Sequence, residues 1–206
     1  MRVLVACEYS GRVREAFRAR GHEAWSCDIL PSEEWSTKHI QGDVLEHLGG
    51  LRYNLATFAK RPWDLIIAHP PCTDLAVSGA RHFAEKVADG RQQRALDFVQ
   101  ALMDAPCERI AIENPISVIS SKIRKPDQIV QPWMFGHPET KSTCLWLKGL
   151  PKLVPNEDSG HVKAHMMTLP VAERNRVHHM PPGPDRWKER SRTYQGIADA
   201  MAEQWG

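Results

Sequence analysis

Apolar residues recur along the first two-thirds of the chain with two alternating periods. Residues 2–11, RVLVACEYSG, form a nearly continuous apolar run that ends in a turn at Ser10-Gly11, the pattern of a buried strand. Residues 12–21, RVREAFRARG, place Val13, Ala16 and Phe17 at helical spacing and stop at Gly21. HEAWSCDI (22–29) predicts a second strand ending at Asp28, HIQGDV (39–44) a short third strand ending at Asp43, and WDLIIAHPP (63–71) a fourth. Residues 91–105 again space their apolar positions as a helix does, and ERIAIENP (108–115) reads as a fifth strand stopped by proline.

Strand, helix and strand in repetition, with strands apolar along their whole length, predict an α/β fold: a mostly parallel sheet covered by helices on both faces. Beyond residue 125 the texture changes. Nine of the 15 prolines lie there, only STCLWLKGL (142–150) reads as a strand, and SRTYQGIADAMAEQW (191–205) reads as a closing helix. The organisation expected is a catalytic body over 1–150, a small proline-rich basic insertion over 151–190, and a terminal segment, 191–206, that packs back on the body.

Composition narrows the class. A chain of 206 residues with 42% hydrophobic and 25% charged residues is long enough for a substantial core. No apolar run reaches the roughly 18 residues of a membrane helix, and MRVLVACEYSG lacks a signal-peptide layout, so a cytoplasmic protein with no membrane partner is expected. Five cysteines without paired spacing suggest reduced thiols. The net charge of +2 points to no partner by itself, but residues 12–21 and 173–192 are locally basic. Taken alone, such runs are more often solvated faces than binding surfaces.

The strand ends carry the chemistry. In doubly wound sheets ligands lie beyond the carboxyl ends of the strands. Those ends here are Glu8-Tyr9-Ser10-Gly11, Asp28, Asp43, Pro70-Pro71-Cys72 and Glu113-Asn114-Pro115. Asp28 stands where such folds hold ribose hydroxyls, yet the first turn keeps one clear glycine and is not GxGxxG, so a ribose-containing cofactor without a pyrophosphate fits better. A lone cysteine is usually an inert core residue. Cys72, however, follows two prolines that hold its backbone, which suits a nucleophile, and Glu113 on the next strand end suits an acid working beside it.

HPPCT and IENP, in that order behind LVACEYSG, CDI and QGDV, resemble the DNA cytosine methyltransferases that act on carbon 5. The resemblance covers most of residues 1–150 and the closing helix. It implies a Rossmann-like fold that binds S-adenosylmethionine, or a derivative of it, and a cytosine flipped out of DNA. Cys72 is then the thiolate that adds to carbon 6, Pro71 braces its loop, and Glu113 with Asn114 holds the base. The cofactor would be held by Glu8, Tyr9, Ser10, Gly11, Asp28, Ile29, Asp43, Val44, Pro70 and Gln195. Ser78, Arg81, Arg174, Arg176, Arg186, Lys188 and Arg190 would face the nucleic acid. The likeness is to compact bacterial or phage members of the family, of the kind that accompany restriction systems. No metal site is expected: His161, His165, His178 and His179 have no cysteine to join them.

The chain departs from the family pattern in three places. FGHPETKSTCLWL (135–147) aligns with a Gln-x-Arg-x-Arg strand but sets Glu139, Lys141 and Thr143 at the three polar positions. Either Lys141 replaces the missing arginine or charge arrives from the basic tail. The interval 148–190 is small for a target-recognition domain. Tyr194-Gln195-Gly196 stands in place of a Gly-Asn pair near the sulfonium, which leaves open a group other than a plain methyl. Other open readings are the same chemistry on RNA or a free pyrimidine nucleotide, and a non-catalytic DNA-binding relic. Amino-group methylation fits less well, because His69 and Cys72 occupy the ends of the motif it needs. The sequence does not reveal oligomeric state; a monomer is consistent with it.

Overall fold

The computed structural model describes residues 1–52, 60–183 and 186–206. Seven strands form one sheet in the order β3-β2-β1-β6-β7-β9-β8. They are β1 (Arg2–Ala6), β2 (Glu23–Asp28), β3 (His39–Gln41), β6 (Leu65–Ala68), β7 (Ile110–Pro115), β8 (Gln128–Val130) and β9 (Thr143–Lys148). The intervening β4 (Leu51–Arg52) and β5 (Lys60–Arg61) make a separate two-residue antiparallel ladder. Strands β1, β2, β3, β6 and β7 run parallel, while β9 is antiparallel to both β7 and β8. The likeness to a Rossmann-type sheet lies in this order: the chain leaves β1 for β2 and β3 on one side, then returns to β6 and β7 on the other. Such a reversal opens a crevice at the carboxyl ends of β1 and β6.

The alternation of side chains along each strand sorts the core into two layers. Val3, Val5, Leu65, Ile67 and Ala111 face a layer that includes Val13 and Phe17 of α1 (Arg12–Ala19) and Ile197 and Met201 of α9 (Gln195–Gln204). Leu4, Ala6, Ile66, Ala68, Ile110 and Ile112 face the other, with Leu96, Val99 and Leu102 of α3 (Arg91–Met103). Strands β1 and β6 are buried along their whole length, which is why they read as unbroken apolar runs.

The last third is more structured than its prolines suggest. Strand β8 was not expected; three residues between prolines carry too little pattern to be seen. The remaining helices are α2 (Phe83–Ala88), α4 (Ile119–Lys122), α5 (Ser159–Thr168), α6 (Val171–Arg174), α7 (Arg176–His179) and α8 (Arg186–Ser191). Helix α5 escapes the pattern because it buries only Met166 and so needs no apolar stripe. Residues 184–185 of the basic stretch lie outside the described residues. No helix among the described residues is long and apolar enough to cross a membrane.

The reversed strand β9 has a direct consequence for chemistry. Thr143 pairs with Pro115, so the start of β9 meets the carboxyl end of β7. Lys141, two residues earlier, therefore reaches the same rim as the strand-end acids.

Candidate active site

The first wall of the crevice is the loop after β1. Cys7 there takes a left-handed φ of 59°, and among the described residues no other non-glycine does. Such strain collects where structure holds a loop for function. The amides of Cys7 and Glu8 both donate to the Cys27 carbonyl, at 2.7 and 3.3 Å. Glu8 is buried, and its carboxylate accepts the amides of Val13 (2.7 Å) and Arg14 (3.2 Å), so it caps the start of α1. Burial pushes the Glu8 pKa up, against the pull of His69 and those amides. Gly11 opens α1 with a φ of 74°, and a Cβ there would collide with the Arg14 guanidinium.

Beneath this loop a polar chain fixes the end of β2. Buried Arg14 donates to Ser26 Oγ at 2.6 Å; Ser26 Oγ meets His39 Nδ1 at 2.8 Å; and His39 Nε2 meets the Leu30 carbonyl at 2.9 Å. A carbonyl only accepts, so His39 Nε2 carries a hydrogen. Asp28 Oδ1 accepts the Leu30 amide at 2.9 Å, and Asp43 Oδ1 accepts the Leu45 amide at 2.9 Å. Beside these carboxylates Ile29 is 75% exposed and Leu45 41%. Val44, in contrast, packs its side chain into the core, so a contact between that side chain and a cofactor does not hold.

The second wall holds the thiol. Cys72 is the exposed member of five free cysteines. It follows buried Pro70 and exposed Pro71, and its carbonyl accepts the amides of Leu75 (3.0 Å) and Ala76 (2.8 Å) in a tight turn. Burial of the sulfur and the Glu113 charge push the thiol pKa up; Lys141 and Arg190 pull it down. Asn114 donates through Nδ2 to the Pro70 carbonyl at 2.8 Å, tying the end of β7 to the thiol loop.

Glu113 meets His69 directly. His69 Nδ1 lies 2.8 Å from Glu113 Oε2, and both side chains are about nine-tenths buried. Burial disfavours the imidazolium, but the hydrogen bond to Glu113, its charge and that of Glu8 outweigh this and raise the His69 pKa. Burial likewise opposes ionisation of Glu113, and His69 with Lys141 overcomes it, so the Glu113 pKa is lowered. The two shifts agree on a charge-separated pair. His69 was not singled out as functional from sequence; its only signal is a histidine ending an apolar strand.

The third wall is the closing segment. Lys141 Nζ donates to the carbonyls of Arg190 (2.9 Å) and Arg192 (3.3 Å). Burial pulls its pKa down, although Glu113 and Cys72 oppose that shift. Glu139 Oε2 accepts the Tyr194 hydroxyl at 2.7 Å, and Glu139 pairs with Arg176 at 3.1 Å. Thr143 Oγ1 donates to the Lys141 carbonyl at 3.2 Å and stays inside the strand start. Thus Lys141 and Glu139, but not Thr143, tie α8 and the residues after it to the start of β9, and Arg190 on α8 brings a guanidinium within electrostatic reach of Cys72. Tyr9 packs on Trp187 of α8 with ring centroids 5.6 Å apart and bonds Ser191 at 3.2 Å, so α8 lies against the first wall as well. Trp187 also lines a cavity of about 320 Å³ with Arg186 and Arg190.

The remaining sequence-derived residues are less involved. Gln195 is exposed and donates to Asp199 at 3.0 Å, along its own helix. Ser78 and Arg81 lie exposed on the turn after Cys72, and Arg174 contacts Met167. Ser10 sits partly exposed on the first wall.

No protein-family model matches the sequence, and no curated protein matches it. Among solved structures the chain is similar to a presumed DNA modification methyltransferase encoded within a prophage of E. coli, with a TM-score of 0.50 and 17% identity over 76% of this chain. The chain spans about half of that protein, 51% of its length. A likeness at this identity establishes a shared α/β fold.

Proposed function

We propose that the chain transfers a methyl group to carbon 5 of cytosine in DNA, through a covalent bond between Cys72 and carbon 6 of the base. The observation that carries this reading is the convergence of exposed Cys72 and the buried carboxylate of Glu113 at adjacent strand ends with two cations, Lys141 ahead of β9 and Arg190 on α8. Carbon 5 of a pyrimidine is a poor nucleophile until a thiolate adds to carbon 6. Burial and the Glu113 charge leave the Cys72 pKa raised on balance, Lys141 and Arg190 offset part of that rise, and Glu113 would face the ring nitrogen where charge develops. The sulfur must reach the ring face, so the base leaves the duplex, at a cost of a few kcal/mol.

The residues present fit S-adenosylmethionine. Asp28 and Asp43 offer carboxylates to a ribose and an adenine amine, and exposed Ile29 and Leu45 offer apolar contact beside them. When bound, the cofactor supplies its methyl group as an electrophilic sulfonium. Tyr9, Ser10 and Gln195 border this region in the reading, Glu8 shapes it through α1, and Pro70 supports its floor. Ser78, Arg81, Arg174, Arg186, Lys188 and Arg190 would contact phosphates, with Arg176 contributing less because Glu139 already pairs with it.

Transfer of label from methyl-labelled cofactor to duplex DNA, RNA and dCMP tests substrate and chemistry together. Label on carbon 5 of cytosine in duplex DNA, lost in Cys72→Ala with cofactor binding intact, is the expected result. Turnover that survives in Cys72→Ala would refute the mechanism, and labelling of dCMP or RNA alone would move the substrate.

A further inference from the structure

We infer that His69 is a positioning residue: it turns Glu113 so that Oε1 faces the base and steadies the carboxylate left when the base takes its proton. This rests on the reading above and adds a residue to it. His69 Nδ1 occupies Glu113 Oε2 at 2.8 Å. Oε1 makes no hydrogen bond to a described residue, and it is not among the buried, unpartnered atoms. One carboxylate oxygen is therefore spent on the imidazole and the other is open to the crevice. His69 Nε2 is buried without a partner among the described residues, a costly arrangement for a side chain that only packs.

The histidine is held in a ring of charge. Glu113 faces it from β7, Glu8 from the loop after β1, Asp28 from the end of β2, and Lys141 from ahead of β9. Three acids against one distant ammonium favour a proton on the imidazole. With Glu113 the ring holds one proton beyond neutral imidazole and carboxylate, and the two groups titrate as a unit.

The step balances as follows. The Cys72 thiolate forms a bond to carbon 6, and the carbon 5–carbon 6 π pair shifts through carbon 4 to N3. The pair's extra proton, which rests on the imidazole in the free protein, passes to Glu113 Oε1 once the base is seated, leaving neutral His69 with its Nδ1–H, and N3 takes it from Oε1. The carboxylate left behind accepts the Nδ1–H of His69, which stays on the ring. Elimination of the thiolate returns the proton to Oε1. Without His69 the carboxyl is a weaker acid and free to rotate, so addition is slower.

The test uses no methyl donor. Once sulfur is bonded to carbon 6, carbon 5 exchanges its hydrogen with water, so tritium released from duplex DNA carrying 5-tritiated cytosine reads addition alone. Wild type, His69→Leu and His69→Asn are compared across pH, with DNA affinity measured in parallel. His69→Leu is expected to slow release at least tenfold and to move the limb belonging to Glu113 to higher pH by about one unit, because its carboxylate has lost a donor. His69→Asn, which keeps an N–H near the Nδ1 position, is expected to recover part of the rate, with DNA affinity within about twofold throughout. A rate and pH profile unchanged in His69→Leu would overturn the inference, as would equal loss in both variants with an unmoved limb. If the leucine variant does not fold, the limb of the asparagine variant decides by the same criterion. No release from wild type would instead strike the proposed function itself. A 15N-histidine spectrum of the free protein adds a check independent of turnover: Nδ1 of His69 is expected to carry hydrogen at every pH at which the fold persists.

Discussion

Lys141 Nζ donates to the backbone carbonyl of Arg190 across 49 residues of sequence, at 2.9 Å, and so ties the start of β9 to α8 at the mouth of the crevice. The bond decides how the segment after the insertion closes. Lys141→Met leaves the carbonyls of Arg190 and Arg192 without their donor. A loss of about 1–3 kcal/mol is expected, read by urea denaturation, together with faster proteolytic cleavage within residues 186–192 under native conditions. Unchanged cleavage and stability would show that α8 is held by other means.

Cys72 should report the charges around it. Burial and Glu113 raise its pKa, and Lys141 and Arg190 lower it. Iodoacetamide is expected to label Cys72 ahead of the four less exposed cysteines. Glu113→Gln should speed that labelling near pH 8, since a negative neighbour is gone, and Arg190→Ala should slow it. Shifts of the same sign in both variants would contradict the electrostatic account.

The His69–Glu113 pair predicts a pH window for stability. The raised His69 pKa contributes fully below the unfolded value of about 6.5 and is lost as pH rises through the higher folded value. The lowered Glu113 pKa contributes fully above about 4.5 and is lost as pH falls through the lower folded value. The Tm difference between wild type and His69→Asn should therefore be widest between about pH 4.5 and 6.5 and narrow on both sides. A difference that is flat with pH would deny the charge separation.

Gly196 lies where α9 crosses the turn at Pro132–Phe135, and its amide donates to His137 Nε2 at 2.9 Å. A Cβ there would collide with the Phe135 carbonyl oxygen. Alanine in a helix ordinarily stabilises relative to glycine by up to about 1 kcal/mol. Here Gly196→Ala is expected to cost about 1–3 kcal/mol, so the sign alone decides. A raised Tm would show that the helix can shift without loss.

Much of this site was legible along the chain. Strands β1 and β6 announce themselves because a strand buried along its length is apolar. Strands β2 and β7 are apolar only in part and run into polar residues, and these carboxyl ends place Asp28, Cys72 and Glu113 on one rim. Strand β8 and helix α5 were invisible, being too short or too thinly buried to leave a period. Val44, read as a cofactor contact, is a core residue, since nothing in a three-residue turn marks which side chain faces inward. His69 was passed over because a histidine at a strand end says nothing of the acid it meets 44 residues later.

Local chemistry written in order was thus enough for the α/β class and for a rim that carries Cys72. Periodicity and strand ends are properties of neighbouring residues, and these survive in a linear text. Pairings between distant segments were decided by the folded sheet alone: the reversal of β9 that delivers Lys141, the closure of α8 over Tyr9, and the imidazole against Glu113. Each depends on which strands become neighbours and in which direction they run. Only long-range packing supplies that information.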